Sequence, residues 1–209
     1  MNKAVCIYPE DFTTDFLRPL CNHICASFDA VEVGYDISGN DDPLEAIFNE
    51  IKEAQTIFFL GHGMSTCLYA SIVDNVKLID ENNISLLAGK RLFLLACDSN
   101  QFIDKYKIAN SIGFGFLPTS LDDARSPRIF HNIPKDNLKS EDVAVYKIGL
   151  VNILINTLSK ETLADFYLLK RRLLFNASLE IVDCLINKKC PNYRIVADEL
   201  YYVHKDIFV

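Results

Sequence analysis

The sequence predicts an α/β fold in which a mostly parallel sheet lies between helices, and three observations predict it. Short apolar runs alternate with one-sided helical stretches through the first half of the chain, the order from which parallel sheets are built. Two of those runs, 56–60 (Thr-Ile-Phe-Phe-Leu) and 91–96 (Arg-Leu-Phe-Leu-Leu-Ala), show no polar alternation, as expected of strands covered on both faces. Each run also ends on a reactive side chain: the first enters Gly61-His62-Gly63 and the second Cys97.

Residues 4–8 form the first predicted strand. Phe16, Leu20, Ile24 and Phe28 give a stripe at helical spacing over 13–28, with Pro19 expected to kink that helix. A second strand covers 30–35. Asp42, Pro43 and Glu45 then read as N-cap, first-turn proline and N3 glutamate of a helix whose Leu44, Ile47, Phe48 and Ile51 share a face. The third strand is 56–60, followed by a small extended hairpin at 66–72 and a short helix over 83–88 that stops at Gly89. Strand four, 91–96, delivers Cys97, and a helix begins just beyond it because Asp98, Ser99 and Asn100 favour N-cap positions. Residues 113–117 read as strand five. The Pro-, Ser-, Asp- and Arg-rich segment 118–140 reads as a long substrate-side or regulatory loop. Two helices, 144–158 and 161–187, cover one face of the sheet, and the β-branched and aromatic residues of 194–203 predict a sixth strand.

The chain has 209 residues, half of them apolar, enough for one substantial core, and a single domain spanning 1–209 is expected. No apolar stretch approaches the roughly 18 residues of a membrane span, and the run at 4–8 is too short for a signal peptide. A cytoplasmic address and no membrane partner are expected. Seven cysteines, at 6, 21, 25, 67, 97, 184 and 190, lack paired spacing and read as reduced thiols. The net charge of −7 speaks against nucleic acid as a partner, since phosphate contacts need a basic patch; Lys170, Arg171 and Arg172 read as a solvated helix face. No metal and no cofactor is expected. Cys21, His23 and Cys25 cluster in sequence, but 21 and 25 share a helix face that 23 does not, so both cysteines read as core.

The chemistry concentrates on His62 and Cys97. Open α/β sheets carry their active sites at the carboxyl edge of the strands, and a thiol and an imidazole at one edge are what thiol catalysis needs. A helix starting past Cys97 favours thiolate. Asp98 opposes it unless its carboxylate points to the helix backbone or to substrate, and it is carried as a substrate-binding candidate. Gly61 and Gly63 allow close approach of a substrate to the main chain, and the amides of Gly63 and Cys97 are candidate oxyanion donors. His23, His131 and His204 look incidental.

An apolar strand into His-Gly followed by an apolar strand into Ala-Cys resembles the caspase-like cysteine peptidases of clan CD. The Phe-Leu-Gly-His-Gly stretch at 59–63, the segment 78–87 and the Leu-Leu-Ala-Cys-Asp-Ser stretch at 94–99 are most similar to the CHAT subgroup. The resemblance covers about residues 56–117. His62 and Cys97 lie 35 positions apart, fewer than the roughly 50 of caspases, which favours a compact, bacterial-type member. The resemblance implies a caspase-like three-layer sandwich with a six-stranded, mostly parallel sheet, a His62–Cys97 dyad, and an oxyanion hole from Gly63 and Cys97. It also implies a cysteine endopeptidase acting on a protein substrate, activated by a sensor or partner protein, in bacterial defence or programmed cell death. Leu95 stands where caspases carry a glutamine and metacaspases an aspartate, so neither P1 preference carries over. Asp98, Asp122, Asp123, Arg125 and Arg128 remain candidates for that role.

Two other classes compete. One is an interaction or signalling module of the same fold with a silent dyad. The other is a flavodoxin-like nucleotide domain, which fits poorly because the chain has no Walker A or Gly-x-Gly-x-x-Gly motif.

Overall fold

The three most apolar strands, β1 (Ala4–Ile7), β3 (Thr56–Leu60) and β7 (Arg91–Leu95), lie side by side at the centre of a five-stranded sheet. The computed structural model describes residues 3–9, 12–35, 43–126 and 137–208. Short strands β2 (Val31–Val33) and β8 (Ser111–Gly113) complete the order β2-β1-β3-β7-β8, and every pairing in the sheet is parallel.

Alternation along the strands sends side chains to two cores. Cys6, Tyr8, Phe58, Leu60, Phe93 and Leu95 face one way and meet α1 (Arg18–Phe28), α5 (Ser140–Thr157), α7 (Phe166–Asn187) and α8 (Tyr193–Lys205). Val5, Ile7, Ile57, Phe59, Leu92 and Leu94 face the other way. There they meet α2 (Pro43–Glu53), α3 (Ser99–Tyr106) and a small antiparallel sheet of β4 (Gly63–Met64), β5 (Cys67–Ser71) and β6 (Val76–Ile79). On the first face Phe28, Phe58, Phe93 and Phe114 form a row of aromatic contacts with centroids 4.8–6.0 Å apart.

Several expectations change. Residues 194–203 form no sixth strand: they belong to α8, and Val196, Ala197, Leu200 and Val203 are buried at helical spacing, so periodicity overrides β-branched composition. The only strand-like contact at this end of the described chain is an antiparallel bridge from Phe208 to Gly113. Strand five lies earlier than predicted, at Ser111–Gly113, and 114–117 leaves the sheet. Pro19 makes no kink because α1 starts at Arg18 and the proline falls in its first turn, where a missing N–H is harmless. The stretch 161–187 is divided into α6 (Lys160–Ala164) and α7 by Asp165, whose carboxylate caps the N–H groups of Tyr167 and Leu168. Within 118–140 a helix, α4 (Leu121–Arg125), is closed by a capping box between Ser120 and Asp123. The Asp42 cap, His131 and Arg128 lie outside the described residues. No helix among the described residues is long and apolar enough to cross a membrane.

Candidate active site

Register places the two reactive side chains together. In the parallel pair β3–β7, Leu60 is opposite Leu95, and the Gly61 N–H continues the ladder by donating to the Leu95 carbonyl at 3.1 Å. His62 and Cys97 each lie two residues beyond that last pair, so both leave the carboxyl edge from neighbouring strands. They line one small cleft together with Phe16, Leu17, Leu117, Thr119 and Leu150. Both are partly buried.

The backbone around them is tightly specified. A Cβ on Gly63 would stand 2.9 Å from the Ala96 Cβ and 3.0 Å from the Cys97 carbonyl oxygen, so only glycine lets β4 pass this close to the Cys97 loop. The Tyr69 N–H donates to the His62 carbonyl at 3.0 Å, which makes Gly63 and Leu68 a non-hydrogen-bonded pair of the β4–β5 ladder and turns the Gly63 N–H out of that ladder. Behind the cysteine, the buried Ser99 hydroxyl donates to the Leu94 carbonyl at 2.6 Å and accepts from the Phe114 N–H at 2.8 Å. That clamp fixes the start of α3 against the exit of β8. Asp98 occupies the left-handed region at φ 55° as the N-cap residue of α3. Its carboxylate accepts from Gln101 Nε2 at 3.3 Å and makes no capping bond to the helix backbone, so the first of the two orientations expected from the sequence is not taken.

Two site residues carry no sequence signal. The Thr13 hydroxyl bonds His62 Nε2 at 2.7 Å, and Leu117 meets the Cys97 sulfur twice. Its N–H donates to Sγ and its carbonyl accepts from the thiol, both at 3.4 Å. They reach the dyad across 49 and 20 residues of chain, and neither residue type advertises the contact. From α5, the fully buried Tyr146 backs the site as a neutral phenol; burial first, then the Glu199 and Cys97 charges, push its hydroxyl well above its ordinary value.

Several remaining candidates have partners of their own. Asp123 is spent on the α4 capping box, and Arg125 donates to the Leu138 carbonyl. His23 bonds the Leu158 carbonyl at 3.1 Å, and His204 packs on Tyr201, with burial lowering its pKa. All seven cysteines are free thiols. Cys21 and Cys25 turn away from His23 and meet Cys6 instead. No family model, no curated protein and no solved structure matches the chain.

Proposed function

We propose that the protein is a caspase-like cysteine endopeptidase that cuts a protein substrate through His62 and Cys97. The observation that carries this reading is the equal offset of the two residues beyond the Leu60–Leu95 register pair, with both lining one cleft. His62 takes the thiol proton, and the Cys97 sulfur attacks the scissile carbonyl carbon to form a C–S bond. The Gly63 and Cys97 N–H groups hold the oxyanion. His62 passes its proton to the leaving amine as the C–N bond breaks. Water, deprotonated by His62, then attacks the thioester; the acid product leaves and the thiol is restored. Thr13 is a positioning residue for the imidazole.

The cleft lining supports an uncharged residue at P1. Among the described residues it consists of Thr14, Phe16, Leu17, Leu95, Leu117, Thr119 and Leu150 beside the dyad and Gly61, so no charged side chain lines it apart from the dyad, and the nearest charges, Asp123 on Thr119 and Lys147 over Phe16, stand behind the lining. Incubation with a random peptide library, with sequencing of the products, tests both points. Cuts after uncharged residues that vanish in Cys97→Ala are the expected result, whereas cuts that persist in Cys97→Ala would exclude this nucleophile. A second reading, a caspase-shaped interaction or signalling module with a silent dyad, is favoured by one observation: Leu117 engages the Cys97 sulfur from both its N–H and its carbonyl. The two readings part on the reactivity of the thiol.

A further inference from the structure

A second cluster of thiols lies on the other side of the first core from the dyad loop's own contacts, between α1, β1 and the edge strand β2. Cys21 and Cys25, one helical turn apart on α1, face β1, where Cys6 points to the same side as Tyr8. The three sulfur atoms lie within 4.8 Å of one another, and Cys6 and Cys21 are 3.6 Å apart. A fourth donor can come from the sheet: Glu32 on β2 is the register partner of Cys6, although its carboxylate lies outside the group of three sulfur atoms that are all within 4.8 Å of one another. Arg18, one turn before Cys21, holds Oε1 of that carboxylate and stacks over the Tyr8 ring at 4.4 Å.

We propose that Cys6, Cys21, Cys25 and Glu32 form a structural zinc site with three sulfur ligands and one oxygen ligand. Tetrahedral zinc with Zn–S of about 2.3 Å spaces its sulfur ligands about 3.8 Å apart, so the three sulfur atoms close on the ion with shifts of about 1 Å or less, and the Glu32 carboxylate turns inward to complete the set. The charges also favour a divalent ion: Zn²⁺ and the Arg18 guanidinium reduce the charge of three thiolates and a carboxylate to a single net negative, and Arg18 acts from outside the ligand set to orient Glu32. Binding sends the three thiol protons to solvent and forms three Zn–S bonds and one Zn–O bond, with no redox change. Four protein ligands leave no open position, the mark of a structural site. The ion would staple α1 to β1 and β2 in a chain whose β2 has only three residues. Sequence spacing alone misses the site, because the pairing of Cys6 with Cys21 is long-range and His23 faces elsewhere.

The test uses reduced Cys97→Ala protein, so that the thiol of the dyad adds nothing, titrated with Co²⁺ and then Zn²⁺ and followed by absorbance. One Co²⁺ per chain with thiolate-to-cobalt charge-transfer bands and tetrahedral ligand-field bands, displaced by one Zn²⁺, is the expected result. Cys25→Ser, at a partly exposed position, should weaken binding by at least about a hundredfold, and Arg18→Met by about tenfold, the lower end for an outer-shell partner. Absence of charge-transfer bands in the parent protein, or equal binding by Cys25→Ser, overturns the proposal. The titration of the parent protein decides even if a variant fails to fold, and its outcome is independent of peptidase activity.

Discussion

At the scale of single residues, Gly63 is where the account is most exposed. Its missing side chain leaves room for Ala96 and the Cys97 carbonyl at distances that a Cβ would violate, and its N–H lies outside the β4–β5 ladder. Gly63→Ala should therefore keep the fold while displacing an oxyanion donor, lowering kcat by about 10²–10³ with little change in KM. Steady-state kinetics beside a thermal melt check this; a fall in kcat that merely tracks lost folded protein would contradict it. Thr13→Val should lower kcat by about tenfold, short of the 10²–10⁴ expected when the imidazole itself is removed, measured against the same peptide. These contacts also mark what a sequence conveys at this scale. His62 and Cys97 stand out because apolar runs lead directly into them. Thr13 and Leu117 do not, because their roles arise only when distant segments meet at the cleft.

At the scale of elements, Asp142 joins what the sequence presents as separate pieces. Fully buried, it caps α5 by accepting from the Lys139 N–H at 2.8 Å, and it accepts from both the backbone and side-chain nitrogens of Asn192 at the start of α8. Burial pushes its carboxyl pKa up, but the bonds from Asn192 and Lys139 outweigh it and hold the group below its ordinary value. Asp142→Ala should cost about 2–4 kcal/mol by removing a cap and leaving Asn192 without its partner, a fall of about 4–16 °C in Tm readable by calorimetry. Beside it, burial and then Asp142 push the Cys190 thiol up to about 12 from an ordinary 9.0. Between those pH values the folded chain keeps a proton that the unfolded chain has lost, so stability is full below pH 9 and declines as pH rises toward 12. Denaturant unfolding of the parent protein and Cys190→Ala across that range should give curves that converge as the thiol's contribution disappears; parallel curves would contradict the assignment. Element types were legible wherever periodicity and composition agreed, as in 56–60 and 91–96. They were misread at 194–203, where aromatic and β-branched residues suggested a strand while buried Val196, Ala197, Leu200 and Val203 kept a helical period.

At the scale of the whole molecule, the five-stranded parallel sheet is the device that turns two distant sequence motifs into one cleft. The order β1-β3-β7 makes the two reactive strands neighbours, and covered faces on both sides leave the carboxyl edge as the place where polar chemistry meets solvent. Sheet order was not visible in the chain; the alternation of strands and helices was. The first core also leaves α7 with Phe175, Leu179, Val182 and Ile186 exposed along one side, a face not covered by the described residues. The central claim, that this edge activates Cys97 through His62, is tested most directly by the rate of iodoacetamide alkylation, resolved residue by residue by mass spectrometry. Free N-acetylcysteine in the same mixture is the reference, because Cys25 is a zinc-ligand candidate and burial pushes its thiol up to about 11. The account predicts that Cys97 reacts at least about tenfold faster than that free thiol at neutral pH and that His62→Ala removes the excess. Equal rates for the two thiols, or an excess that survives His62→Ala, would contradict it.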